Sequence, residues 1–164
     1  MLKIDFRGGT DQRVIQTLRS KPARVLEVLS VRLYQLMLQV SGKIVDTKLS
    51  GQLLNRLSGK LSGSVRALPT EVEGATLTGQ VEAGAGPAGA YAASHEFGGS
   101  RPYEIRAVRA RMLAFVADDA QRFAKSVIHP PMPQRSYMRS TLEESSEEIV
   151  SSLEEALREV VGEK

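Results

Sequence analysis

The feature that most constrains this chain is a change of hydrophobic period along it. Over residues 22–45, PARVLEVLSVRLYQLMLQVSGKIV, apolar side chains recur every three to four positions: Val25, Leu26, Leu29, Leu33, Leu36, Met37, Val40 and Ile44. That spacing lines one face of a helix, and Pro22 suits its first turn, where a missing N–H costs nothing. From residue 64 the period becomes two. Ala75, Leu77, Gly79, Val81 and Ala83 alternate with Thr76, Thr78, Gln80 and Glu82, the pattern of a half-buried antiparallel strand. Residues 64–73 read as its partner strand, with Gly74 at the turn. After residue 136 the helical period returns, with Leu142, Ile149, Val150, Leu153, Leu157, Val160 and Val161 inward and the glutamates outward.

Helices, then strands, then a helix predict an α+β fold. A long N-terminal helix and a C-terminal helix pack on one face of a mostly antiparallel sheet of about four to five strands. At 164 residues the expectation is a single domain, 1–164. Its parts are a helical 1–45 with a shorter helix around Thr10–Arg19, a loop-rich connector 46–63, a sheet 64–129, and a closing helix within 130–161. Glycines at 51, 59 and 63 break the connector. Further strands are expected at 103–108, 112–116 and 123–129. Residues 129–135, HPPMPQR, cannot be regular structure, because three prolines remove donors and fix the backbone.

Composition excludes several function classes. There is no cysteine, hence no disulfide and no thiolate metal site, which fits synthesis in a reducing cytoplasm. No run approaches the ~18 apolar residues of a membrane span, and the first residues lack an apolar signal core. Charge is uneven: residues 1–66 carry 12 Lys/Arg against 4 Asp/Glu, and residues 136–164 carry 3 against 8. Such a front and back suit solvated faces or a head-to-tail meeting of copies.

The stretch that most resembles a chemical site is YAASHEFGG, 91–99, which holds one of the two histidines. A zinc-protease helix needs a second histidine four residues on, but that position is Gly99. No cysteine nucleophile, nucleophile elbow or phosphate-cradling loop is legible. The architectural reading is a short helical turn with Tyr91, Ala92 and His95 on one side and Phe97 packed below. Gly98 and Gly99 supply the positive φ that ends the turn. His95 then donates a ring hydrogen bond to backbone, and Glu96 pairs with an arginine. No cofactor and no metal are expected.

Arg101, Arg106, Arg109, Arg111, Arg122 and Lys125 lie close together in sequence. On alternating strand positions Arg106, Arg109, Arg111, Arg122 and Lys125 could face the phosphates of DNA without reading bases. No interleaved aromatics suggest base stacking.

Three segments together carry a resemblance. LSGQLLNRLSGKLSGSVRA (49–67) resembles the run before the first strand in tail-completion (minor tail, neck or virion-morphogenesis) proteins of long-tailed bacteriophages, lambda-like and Mu-like. YAASHEFGGSRPYEIRA (91–107), followed by MLAF (112–115), resembles their Tyr-Ala-x-x-His-Glu-Phe-Gly-Gly signature and next strand. HPPMPQRSYMRSTLEE (129–144) is similar to their Pro-x-Arg-Pro-aromatic lead into the closing helix. Ser136 departs from the family's proline, and Lys60 lies where members vary. The resemblance spans roughly residues 40–145.

It implies a small α+β structural protein without enzymatic activity, located in the virion at the neck or head-proximal tail and made in the host bacterial cytoplasm. Its implied partners are copies of itself in a hexameric ring, other neck, tail-terminator and tail-tube proteins, and DNA passing through the lumen; no membrane is involved. Under this reading Tyr91, His95, Glu96, Phe97, Gly98, Gly99, Arg101, Pro130, Pro133, Arg135 and Arg139 form turns or subunit contacts. Arg135 and Arg139 begin a helix whose dipole does not favour cations there, so a carboxylate on an adjacent subunit is expected beside them. The alternatives are a non-specific DNA-contacting protein and, further off, a metal-dependent hydrolase built on His95, Glu96 and His129.

Overall fold

The computed structural model describes residues 22–51, 53–54, 58–74, 76–99, 101–117 and 119–162. The helix expected around Thr10–Arg19 lies outside them. Helix α1 spans Pro22–Lys43 and runs into a π-helical turn, Ile44–Lys48. A 3-10 turn, Ser62–Ser64, leads into strand β1 (Arg66–Glu73), which pairs antiparallel with β2 (Thr76–Glu82). A second 3-10 turn, Gly86–Ala88, opens helix α2 (Gly89–Phe97). Strands β3 (Tyr103–Arg106), β4 (Leu113–Ala117), β5 (Ala120–Ala124) and β6 (Ser126–His129) follow, and helix α3 (Tyr137–Gly162) closes the described chain. The fold is α+β.

The core lies where α1 meets α3 and the β1–β2 hairpin. Val25, Leu29, Leu33, Leu36, Met37, Val40 and Ile44 of α1 are buried against Tyr137, Ile149, Leu153, Ala156 and Val160 of α3, as their spacing requires. The hairpin lies across α1 so closely that a Cβ at Gly79 would stand 2.9 Å from the Cγ atoms of Leu33 and Met37. The inward face of α3 also holds Thr141 and Ser145, both buried. The Thr141 hydroxyl donates to the Tyr137 carbonyl at 2.8 Å, and Ser145 accepts from Lys43 Nζ at 3.2 Å. Their polar atoms are thus satisfied, which makes burial tolerable. Val150, expected inward, is 43 % exposed, because it stands one position past Ile149 and turns away.

The strands differ from the expected single sheet. Six strands among the described residues pair two by two: β1 with β2, β3 with β6, and β4 with β5. Among the described residues, the helix contacts fall mainly on the first pair. The segment expected as one strand at 123–129 is two, interrupted at Lys125. Arg106 stands opposite Ser126, Leu113 stands opposite Ala124, and the Ala107 N–H donates to the Lys125 carbonyl at 3.1 Å. Residues 103–129 are therefore one long hairpin with 108–112 looped out of it. Among the described residues, the core cluster draws none from this hairpin. It is an arm, and all four residues of β3 are exposed.

Candidate functional site

The His95–Glu96 pair sits at the end of α2, pressed against the proline-rich segment that leads into α3. Glu96 is buried, and among the described residues its carboxylate makes no ion pair with an arginine side chain, contrary to expectation. Instead Oε2 accepts the Met138 N–H at 2.8 Å and Oε1 accepts the Arg139 N–H at 3.0 Å. These are orphan donors in the first turn of α3, where an anion also meets the positive end of the helix dipole. The residue before that helix, Ser136, has φ 47° and does not cap with its own hydroxyl, which accepts from Gln134 Nε2 at 2.8 Å. The first turn of α3 contains no acid of its own. Glu96 provides the cap from another element.

Backbone bonds fasten the same two segments together. Arg135 N–H donates to the His95 carbonyl at 2.8 Å, Ser136 N–H to the Glu96 carbonyl at 3.2 Å, and Gly99 N–H to the Met132 carbonyl at 2.8 Å. Gly98 has φ 76° and ψ 173°, a region essentially reserved for glycine. A Cβ there would meet Gln134 N and Met132 O at 3.0 Å, and one at Gly99 would meet Met132 N at 3.0 Å. The glycine pair is thus required by close approach of two backbones. Arg135 completes the clasp by donating from Nη1 to the Leu53 carbonyl at 3.3 Å, which ties the connector to it.

Two groups inside the clasp are electrostatically unusual. Tyr137 is fully buried, and among the described residues its hydroxyl has no hydrogen-bond partner. Burial, and after it the Glu96 charge, push its pKa up to about 12. His95 stands edge-on to Tyr91, ring centroids 6.1 Å apart. Burial, then the Arg135 charge, hold its pKa below the ordinary value. The expected ring bond from His95 to backbone is not made at Nδ1, which is buried without a partner among the described residues. Phe97, expected to pack below the turn, is 64 % exposed. The helix ends there, and Phe97 stands beside Met138 and Arg139 of α3 without being covered by them.

The clasp thus gathers Tyr91, His95, Glu96, Gly98, Gly99, Arg135 and Arg139, and Tyr137, which sequence reasoning missed. The remaining residues of interest lie on or beside the arm. Arg101, Arg106, Arg109, Arg111, Arg122, Lys125 and Pro130 are exposed there, and Pro133 is exposed between arm and helix. Arg106 holds the Glu104 carboxylate at 2.7 Å. That contact, and next the Ser126 hydroxyl, keep the Glu104 pKa below the carboxylate range. His129 stacks on Tyr103 across the base of the arm, centroids 5.0 Å apart, and its Nδ1 lies 2.7 Å from the Pro130 carbonyl. The two imidazoles therefore have separate partners. Among the described residues no three His, Cys, Asp or Glu side chains gather as metal ligands, and no helix is long and apolar enough to cross a membrane. No family model, curated protein or solved structure matches the chain.

Proposed function

We propose that the chain is a structural subunit of the neck or head-proximal tail of a long-tailed bacteriophage, that it assembles with copies of itself into a ring, and that it catalyses no reaction. The observation that carries this reading is the use made of Glu96. Both oxygens of the most chemistry-like carboxylate in the sequence are engaged by backbone N–H groups of α3. A carboxylate so held caps a helix and shapes the fold, which supports a structural role. The arm supports the assembly half of the reading. It exposes Val108, Met112, Val116, Phe123 and Ile128, and several large apolar side chains uncovered on one segment suit a protein contact. A ring made by one patch meeting a different patch suits the basic front and acidic back.

Antibody labelling of particles from cells that encode this chain tests the proposal. Gold at the head–tail junction or the adjacent tail is expected; purified particles lacking the chain would refute it. A second reading, non-specific contact with DNA, draws on Arg109, Arg111 and Lys125, all exposed on the arm. It predicts binding of linear duplex by the isolated chain that weakens steeply between low and moderate salt.

A further inference from the structure

A slot of about 810 Å³ opens between β2 and α3. Its floor is Met37, Val40 and Ile44 of α1, and Met138 and Leu142 line its α3 wall. The opposite wall is the outer side of β2, whose described partner is β1 alone. Alternate N–H and C=O groups along that side are placed to pair with another strand. Phe97, which the clasp leaves exposed, stands at the slot. None of the described residues of 101–130 lines it.

The arm carries what the slot lacks. Phe123 is opposite Ala114, and Val116 is opposite Gln121. Since side chains alternate across a strand, Ala114, Val116 and Phe123 share one face of the β4–β5 ribbon. Val116 is 74 % and Phe123 61 % exposed, so that face is apolar and uncovered. Charge is complementary as well. Residues 101–130 hold six Arg/Lys against three Asp/Glu, whereas 137–162 hold seven Glu against two Arg; the slot's own wall carries Glu143 beside Arg139, so the complementarity is between the arm and the whole of α3.

We propose that the slot beside β2 receives the β4–β5 ribbon of a second copy of this chain. This rests on the reading above that the chain assembles with itself, and names the surfaces that do it. The ribbon extends β1–β2 into a four-stranded sheet across two chains, with Val116 and Phe123 over the α1 floor and the arm's cations toward the α3 glutamates. Covering an open strand edge in this way removes an aggregation hazard and gives a directional contact. Each copy offers one arm and one slot, so the contact is head-to-tail, the kind that makes a ring where its rotation closes.

The absence of cysteine from the sequence makes the test direct. Gly79 faces α1, so Gln80→Cys places a thiol on the outer face of β2, and Ala117→Cys places one on the ribbon face opposite Val116, the same side of the proposed sheet. The two full-length variants are mixed, treated with a short bismaleimide and analysed by mass, with light scattering and circular dichroism in parallel. The mixture is expected to give at least about tenfold more crosslinked heterodimer than Gln80→Cys mixed with Val150→Cys, because a formed interface raises the local thiol concentration toward the millimolar range. Oligomers without the specific crosslink would overturn this docking while leaving self-assembly standing; a monomer at all concentrations would overturn both. Protection of the Gln80→Cys thiol in dilute monomer, relieved by deleting residues 1–9, would overturn it in favour of the chain's own N-terminal segment.

Discussion

Replacing Glu96 is the sharpest perturbation of the clasp. The side chain accepts two N–H groups of α3, at 2.8 and 3.0 Å, from a buried position. Hydrogen bonds to a charged group contribute about 1.5–3 kcal/mol each, and a buried donor left unpaired costs about 1–3 kcal/mol. Glu96→Ala removes both bonds and the anion at the helix start, so a loss of about 3–5 kcal/mol is expected. Glu96→Gln keeps one carbonyl oxygen but turns an NH₂ toward the donors and removes the charge, so about 2 kcal/mol is expected. Both are large beside the roughly 5–15 kcal/mol stability of a domain. The chain has no tryptophan, so urea unfolding is followed by far-ultraviolet circular dichroism, with the midpoint falling and the slope unchanged. A Glu96→Gln variant within about 0.5 kcal/mol of the parent, or more stable than it, would refute the reasoning. Added stability is what a carboxylate held for chemistry would show, since reactive sites are commonly maintained at a cost in stability.

Four further outcomes follow from the same geometry. Tyr137→Phe removes an unpartnered buried hydroxyl and should be neutral or stabilising at pH 7. Because the folded Tyr137 pKa is raised from 10.0 to about 12, the parent should lose stability as pH rises from 10 toward 12. The loss should reach about 2–3 kcal/mol, and alkaline urea titrations should show that Tyr137→Phe lacks this increment. His95 has the opposite sign: its folded pKa lies below 6.5, so the unfolded chain binds more protons and stability falls as pH drops below 6.5. Urea midpoints at pH 7 and 5 should therefore differ more for the parent than for His95→Gln. Gly98→Ala forces a side chain into a glycine-only conformation against Gln134 and Met132; thermal unfolding should show a loss of about 2–4 kcal/mol. Reversing Glu147, Glu148, Glu154 and Glu155, all exposed on α3, should leave circular dichroism unchanged and lower the assembled mass; unchanged mass would count against a head-to-tail charge contact.

The body of the fold was legible because its signals are local. The α1 stripe names its own buried face, and the alternation at 76–83 names the hairpin. The onset of α3 at Tyr137 was legible, but the buried face of its first turns was not, since the core-facing Thr141 and Ser145 are polar and satisfied by partners that periodicity does not see. Tyr137 was missed because a lone tyrosine after a proline-rich run gives no periodic signal of burial, yet it is fully buried. The clasp depends on contacts between segments some forty residues apart, which one sequence cannot reveal. One clue was present: a helix whose first turn has Arg139 and no acid needs an anion from elsewhere. That anion is Glu96 of the same chain, bound to the backbone rather than to the arginine side chains. The arm was legible as strands but not as an arm. Tyr103, Ile105, Val116 and Phe123 alternate as core residues would, yet they are exposed, and only the density of arginines between them set the segment apart.

The most direct measurement is the mass of the full chain by light scattering, beside a variant with Val116→Ser and Phe123→Ser. A parent that assembles into a closed multimer, and a variant with the same circular dichroism that stays monomeric, is the predicted result. Equal masses for the two proteins, or a parent that remains single at high concentration and gains mass only with added DNA, would contradict the account.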